Sequence, residues 1–140
     1  MIKEWLAQLG IAAFDESRDA FRISVEQGPE ILLEKEVGDW LMAVRVGACP
    51  SHLSQGKWLV LLQINGPFSP MAPFHLTVDT AGEILLWVRI PESEMDVGLL
   101  NTRYQALQEY YAYLYGFLYK DEQADSQDLL QVASGSVQFV

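Results

Sequence analysis

The stretch FHLTVDTAGEILLWVRIP, residues 74–91, decides the fold class of this 140-residue chain. Apolar and polar residues alternate on both sides of the turn sequence at residues 79–82, so the stretch predicts a β-hairpin. A long helix is predicted directly after it, over about 94–120, because apolar residues recur there at spacings of three and four: Val97, Leu100, Tyr104, Leu107, Tyr111, Leu114 and Leu118. A hairpin followed by such a helix indicates an α+β domain.

Upstream of the hairpin, the sequence predicts a short amphipathic helix and then three strands. The helix covers about residues 2–9 and ends at Gly10, a residue that commonly terminates helices. The alternating pattern that follows predicts strands over three stretches: about 21–26, 30–37 and 40–46. The third strand has apolar residues on both faces, so we expect it to lie centrally in the sheet or under a helix.

Two turns and one ambiguous segment complete the pattern. Turns are expected at Gly28 and at residues 38–39, and a hairpin symmetric about Gly28 would place Arg22 opposite Glu34. The apolar run at residues 58–64 is compatible with a buried helix and with a buried strand, because periodicity alone does not separate the two.

Composition and charge restrict the class of protein. Half of the residues are hydrophobic, which is enough for the core of one domain, predicted over residues 1–120. The remaining residues, 121–140, begin with an acidic stretch and are expected to form a flexible tail. Nine basic residues against nineteen acidic ones give a net charge of −10, which argues against nucleic acids and anionic membranes as partners. The acidity is compatible both with a basic partner and with a solvated surface that has no special role.

The sequence contains no recognisable catalytic or metal-binding motif. Glycine-rich phosphate loops, the Gly-x-Ser-x-Gly elbow and zinc-ligand spacings are absent. Cys49 with His52 is the one nucleophile–base pair worth naming, and no third group to orient it can be identified. We therefore predict no enzyme activity, no cofactor and no metal. Without a signal peptide or an apolar run that could span a bilayer, the chain is expected to be cytoplasmic.

Apolar surface in excess of one core points instead to binding. Trp5, Trp58, Leu85 and Trp87 lie on elements that also have an apolar inward face. In a domain of this size the surplus indicates a protein interface, or else a helix of the same chain covers it; both interpretations stay open.

Several stretches resemble the class I type III secretion chaperones, the CesT/SycE-like family. The similar stretches are the helix that ends in Leu9 and Gly10, the strand ILLE at residues 31–34, the apolar run and its exit at 58–65, and the hairpin at 74–91. The chain departs from the family at residues 19–23, where DAFRI replaces a Gly-x-Cys-x-Leu pattern, and in its tail after Lys120. The resemblance implies the element order α-βββ-α-ββ-α, and thus a helix at residues 58–64.

The resemblance also implies partners. It predicts a homodimer, and it predicts binding of an extended segment of a secreted effector or a regulatory protein, which makes the chain a secretion chaperone or a chaperone-like regulator. For the dimer contact we predict Trp58, Leu59, Leu62 and Leu76. For the partner contact we predict Trp5, Ile23, Ile31, Leu33, Leu85 and Trp87. The alternative is a small-ligand sensor of profilin-like layout, with a pocket between the long helix and the sheet lined by Tyr104, Tyr111 and Trp40.

Overall fold

The computed structural model describes residues 1–12, 15, 17–24 and 26–120. Its elements follow the predicted order α-βββ-α-ββ-α, with a 3-10 turn at Glu92–Glu94 before the last helix: α1 (Ile2–Gln8), β1 (Ala20–Ile23), β2 (Ile31–Glu36), β3 (Asp39–Ala48), α2 (Gln55–Ile64), β4 (His75–Val78), β5 (Glu83–Pro91) and α3 (Val97–Tyr119). The α+β prediction is therefore confirmed, and residues 58–64 are helical. The tail predicted for residues 121–140 lies outside the described residues.

The five strands form one antiparallel sheet in the order β1-β2-β3-β5-β4. The central position predicted for β3 is confirmed. One face of the sheet, called here the inner face, packs against the helices, and the apolar side chains on its strands are at most 8% exposed: Ile23, Ile31, Leu33, Trp40, Met42, Val44, Val46, Leu76, Ile84, Leu86, Val88 and Ile90. The period-two pattern of the sequence selects these residues because alternate side chains of a strand point to the same face.

The register of the first hairpin differs from the symmetric arrangement about Gly28. Arg22 pairs with Leu32, and the turn is centred on Gln27, which has a positive φ of 62°. The difference in register is two residues, which keeps the same side chains on the inner face, as a one-residue difference would not. Arg22 therefore does not face Glu34 and instead lies 3.5 Å from the carboxylate of Glu30.

The next turn is also displaced by one residue from its predicted place. Glu36 pairs with Asp39, so the two residues of the turn are Val37 and Gly38 rather than Gly38 and Asp39. Gly38 has a φ of 79°, which a residue with a side chain rarely adopts. The positive φ required at the second turn position fixes the glycine there.

Helix α3 fills the space above the inner face. It begins at Val97, three residues later than predicted, where the Asp96 carboxylate accepts a hydrogen bond from the Leu99 N–H at 2.6 Å. Its 23 residues extend for about 35 Å. Tyr104 packs edge to face against Trp5 of α1, with ring centroids 5.5 Å apart. The sensor pocket of the alternative hypothesis would need this space, and core side chains occupy it.

Two contacts fasten the last turn of α3 to its neighbours. The Tyr119 hydroxyl donates to the Ala48 carbonyl at 2.6 Å and lies over Gly47, where a Cβ would meet that hydroxyl at 2.6 Å. Lys57 of α2 is only 3% exposed, and its ammonium donates to the Phe117 carbonyl at 2.7 Å. The cation thus lies at the C-terminal end of α3, where the helix macrodipole is negative.

Candidate interaction surfaces

The outer face of the sheet, opposite α3, carries the apolar side chains that the core does not use. We call the partly exposed residues Leu32, Leu41, Ala43, Leu85 and Trp87 the outer-face stripe. The strand register brings them together, because Ala43 of β3 lies between Leu32 of β2 and Trp87 of β5. The Trp87 indole donates to the Thr77 hydroxyl at 3.1 Å, and its ring lies 4.9 Å from the ring of His75. A hollow of about 530 Å³ runs along the stripe.

Only two of the six residues predicted for partner contact lie on this surface. Leu85 and Trp87 belong to the stripe, whereas the other four are in the core of the chain with at most 4% exposure: Trp5, Ile23, Ile31 and Leu33. The strand residues among them alternate onto the inner face, and α1 buries the tryptophan against α3. Sequence reasoning missed Leu32 and Leu41, although their signal was present: like Leu85, they are apolar residues at the outward positions of strands whose inward positions are also apolar.

A second apolar surface lies on α2. Trp58, Leu59 and Leu62, called here the exposed α2 face, are 45%, 53% and 68% exposed. Their spacing of three and four residues places them on one side of the helix. Leu76, the fourth residue predicted for the dimer contact, is only 8% exposed because its side chain points to the inner face. Near it in sequence, Phe68 and Val78 are the exposed apolar residues.

The side chain of Asn65 hydrogen-bonds to the backbone of one residue on the edge strand β4. Its amide nitrogen donates to the Leu76 carbonyl at 2.8 Å, and its oxygen accepts from the Leu76 N–H at 2.6 Å. A neighbouring strand would make the same pair of hydrogen bonds with edge strand β4. Asn65 is also the residue that caps the C-terminus of α2, so the end of this helix is held against the sheet.

We expect Asn65→Ala to lower the free energy of unfolding by about 1–3 kcal/mol, because the part-buried N–H and C=O of Leu76 lose their partners. Urea unfolding followed by circular dichroism measures the change. Asn65→Asp is the matched variant: it keeps the acceptor for the N–H but places a carboxylate oxygen against the carbonyl. If Asn65→Ala unfolds at the same urea concentration as the wild type, the paired hydrogen bonds contribute nothing to the free energy of unfolding.

The opposite edge, β1, is open within the described residues. The Lys35 N–H donates to the Asp19 carbonyl, so Asp19, Phe21 and Ile23 form the hydrogen-bonded pairs with β2. In an antiparallel ladder the alternate residues direct their backbone groups away from the partner strand. The N–H and C=O groups of Ala20 and Arg22 therefore point outward and are available to another strand.

The described residues offer little for other kinds of site. No group of three or more His, Cys, Asp and Glu side chains in them is placed to hold a metal ion. Cys49 is partly buried and His52 is exposed. Over the same part of the chain, none of the helices has the length and apolar character needed to cross a membrane.

Comparison with known proteins places the fold in a family. The sequence matches the model of the Tir chaperone protein (CesT) family over residues 1–115. The chain is 39% identical to a chain of the heterodimeric ExoU–SpcU complex from the type III secretion system of Pseudomonas aeruginosa, with a TM-score of 0.77 and coverage of 85% of this chain and 98% of that one. Comparison with curated proteins gives no match.

Two more distant structures share the fold. A chain of the complex of the Yersinia pestis type III secretion chaperone SycH with a fragment of YscM2 is 16% identical, with a TM-score of 0.64 and coverage of 80% of this chain and 94% of that one. A chain of the ExsC–ExsE complex is 13% identical, with a TM-score of 0.68 and coverage of 82% and 88%. With the family model matched over most of its length, this chain belongs to the Tir chaperone protein (CesT) family of type III secretion chaperones.

Proposed function

We propose that this chain binds an extended segment of a secreted effector or of a regulatory protein, and keeps that partner soluble or sequestered. The observation that carries the proposal is the outer-face stripe, which lies on the same sheet as an open strand edge. An apolar sheet face of this kind is unusual on a protein that acts alone, and it suits an extended chain lying across the strands. The partner contact is assigned to Leu32, Leu41, Leu85 and Trp87.

The open edge of β1 provides a second part of the same contact. A partner strand aligned with β1 would hydrogen-bond to the outward backbone groups of Ala20 and Arg22 and so extend the sheet by one strand. On β4 the outward groups of Leu76 are already occupied by Asn65, which favours strand addition at β1. The similar structures support this kind of function, since one is described as the HopA1–SchA chaperone–effector complex and another as a secretion chaperone with a bound fragment.

The exposed α2 face is proposed as the contact of a homodimer. Helix α2 is apolar on both sides: Val60 and Ile64 pack inward, whereas Trp58, Leu59 and Leu62 face outward. A helix that is apolar on all sides is normally buried on all sides. The same face of a second copy can bury the exposed side in a symmetric contact. We further propose that the protein acts in the cytoplasm by binding alone, without catalysis.

The proposal is tested by capturing the partner from cells that carry the secretion system. The affinity-tagged chain is expected to retain one or two proteins in stoichiometric amounts, and limited proteolysis of the complex should leave an extended partner segment protected. Mass spectrometry identifies the partner and maps the protected segment. Retention of only substoichiometric, unrelated proteins would contradict the proposed function.

Leu85→Glu is expected to weaken binding of the captured partner at least about tenfold, because a carboxylate in the middle of the stripe is desolvated by an apolar segment. Titration of the protected segment measures the dissociation constant. Tyr113→Glu on α3 is the matched control, since Tyr113 is 53% exposed and lies away from the sheet's outer face. If both variants lost the same affinity for the segment, or if Leu85→Glu lost none, the stripe would be excluded as the binding surface.

A further inference from the structure

Three arginines lie close together at the corner of the outer face nearest to β1. A hollow of about 590 Å³ opens there, and its apolar lining includes Ala20, Phe21 and Leu32. The charged side chains among the described residues that line it are three arginines and one glutamate: Arg18, Arg22, Arg45 and Glu34. Three of the five arginines of the chain therefore surround one small surface.

Arg45 is the arginine in this hollow that has no ion pair with a carboxylate of the described residues. Arg18 lies 3.7 Å from Asp15, and Arg22 lies 3.5 Å from Glu30. On the far side of the stripe, Arg89 donates hydrogen bonds to Glu36 and Asp39 at 2.9 and 3.1 Å, and its bonds to Asp39 and Glu36 raise the pKa of Arg89. Arg45 is exposed and has no hydrogen bond or ion pair to any residue that the structure describes.

The position of Arg45 connects this cation to the proposed binding surface. It lies opposite Leu85 on the sheet and lines both the hollow beside β1 and the hollow along the stripe. A segment that crosses from the β1 edge onto the stripe therefore passes the guanidinium group. A carboxylate there would gain a charge-assisted and geometrically specific contact, because the planar guanidinium can bind both carboxylate oxygens.

A strand added to β1 would have two distinct faces. Its inward side chains would lie next to Phe21, whose ring stacks on Trp40 with centroids 6.0 Å apart, so apolar residues fit there. Its outward side chains would lie beside Ala20 and Arg22, on the face that holds the hollow with the three arginines. A second copy of this chain does not fit, because β1 against β1 would bring Arg22 close to its own counterpart.

We infer that the partner segment alternates apolar residues with Asp or Glu, and that its carboxylates bind the hollow lined by Arg18, Arg22 and Arg45, with Arg45 as the principal contact. The inference rests on the proposed function and specifies the chemistry of the partner. It also explains why an acidic chain groups three arginines on one surface. They favour a segment with negative charge, which the rest of the surface repels.

Selection from a displayed library of random twelve-residue peptides tests the inference. Peptides selected by the wild-type protein are expected to carry Asp or Glu at every second position between apolar residues. Selection by Arg45→Glu should lose the acidic preference, and Arg103→Glu on α3 should retain it. Thermal unfolding of both variants verifies that the fold is intact, and Arg45→Gln repeats the test without adding a negative charge.

A pair of synthetic peptides makes the same comparison quantitative. A selected acidic peptide should bind the wild type at least about tenfold more tightly than its copy with Gln in place of each acid, and this ratio should fall to near one in Arg45→Gln. Apolar peptides selected without acidic residues, or an unchanged ratio in Arg45→Gln, would overturn the inference and leave the proposed function standing. If no peptide is enriched at all, both are wrong.

Discussion

Leu62→Glu is expected to abolish the proposed homodimer and leave the protein monomeric. The wild type should elute with twice the 15.8 kDa mass of one chain, and the variant with the mass of one chain. Leu62 is 68% exposed, and around the axis of α2 its direction lies between those of Trp58 and Leu59. A dimer through the exposed α2 face would therefore bury the introduced carboxylate without a partner. Burying an unpaired charge typically costs several kcal/mol, which opposes formation of the dimer.

Size-exclusion chromatography with light scattering at tens of micromolar measures the mass directly. Val37→Glu is the matched control, because Val37 is an apolar residue at a fully exposed turn position on another part of the molecule. Circular dichroism should show the same helix and strand content for both variants. A dimeric Leu62→Glu protein would mean that the α2 face is not the interface, and a monomeric wild type would exclude the homodimer itself.

Lys57→Glu is expected to cause the largest loss of stability of any charge change on α2. The wild-type ammonium donates to the Phe117 carbonyl at 2.7 Å and lies 5.2 Å from the centroid of the Phe117 ring. A carboxylate at this position would be buried beside a carbonyl oxygen at the negative end of α3. Removing one partner of a buried charged contact typically costs about 3–5 kcal/mol, and we expect a loss in that range.

Lys57→Met separates the two contributions of the lysine. Methionine retains most of the apolar stem and removes the donor, so the expected loss is smaller, about 1–3 kcal/mol for an unsatisfied carbonyl. Urea unfolding at a fixed protein concentration measures both values, because the stability of the proposed dimer would depend on concentration. If Lys57→Glu were as stable as Lys57→Met, the ammonium would not be what anchors α2 to α3.

The inner face of the sheet could be predicted from the sequence because its signal is local. Alternation places Met42 with Val44 on one side of β3 and Leu86 with Val88 on one side of β5, and the structure buries all of them. The same alternation does not say which side receives the helices. Leu33 and Leu85 are both apolar strand residues, and only the packing of α3 makes one of them core and the other surface.

The remaining features depend on contacts between residues far apart in the sequence. The bond from Lys57 to Phe117 joins residues sixty positions apart, and a lysine inside an apolar run does not by itself indicate burial. In the sequence, Asn65 resembles any residue at the end of a helix, and its contact with Leu76 is seen only in the structure. The hollow beside β1 likewise exists only because β1, β2 and β3 are neighbours. That Arg45 has no carboxylate partner among the described residues could therefore not be recognised from composition.

The contrast between the two sheet edges bears on self-association of the purified protein. A molecule with two free edges can join others end to end without limit, as in a fibril. Here Asn65 occupies the outward backbone groups of Leu76 on β4, which opposes pairing of that edge with the β1 edge of another molecule. In Asn65→Ala the β4 edge of one molecule could pair with the β1 edge of the next, and the resulting assemblies are expected to grow in length with time.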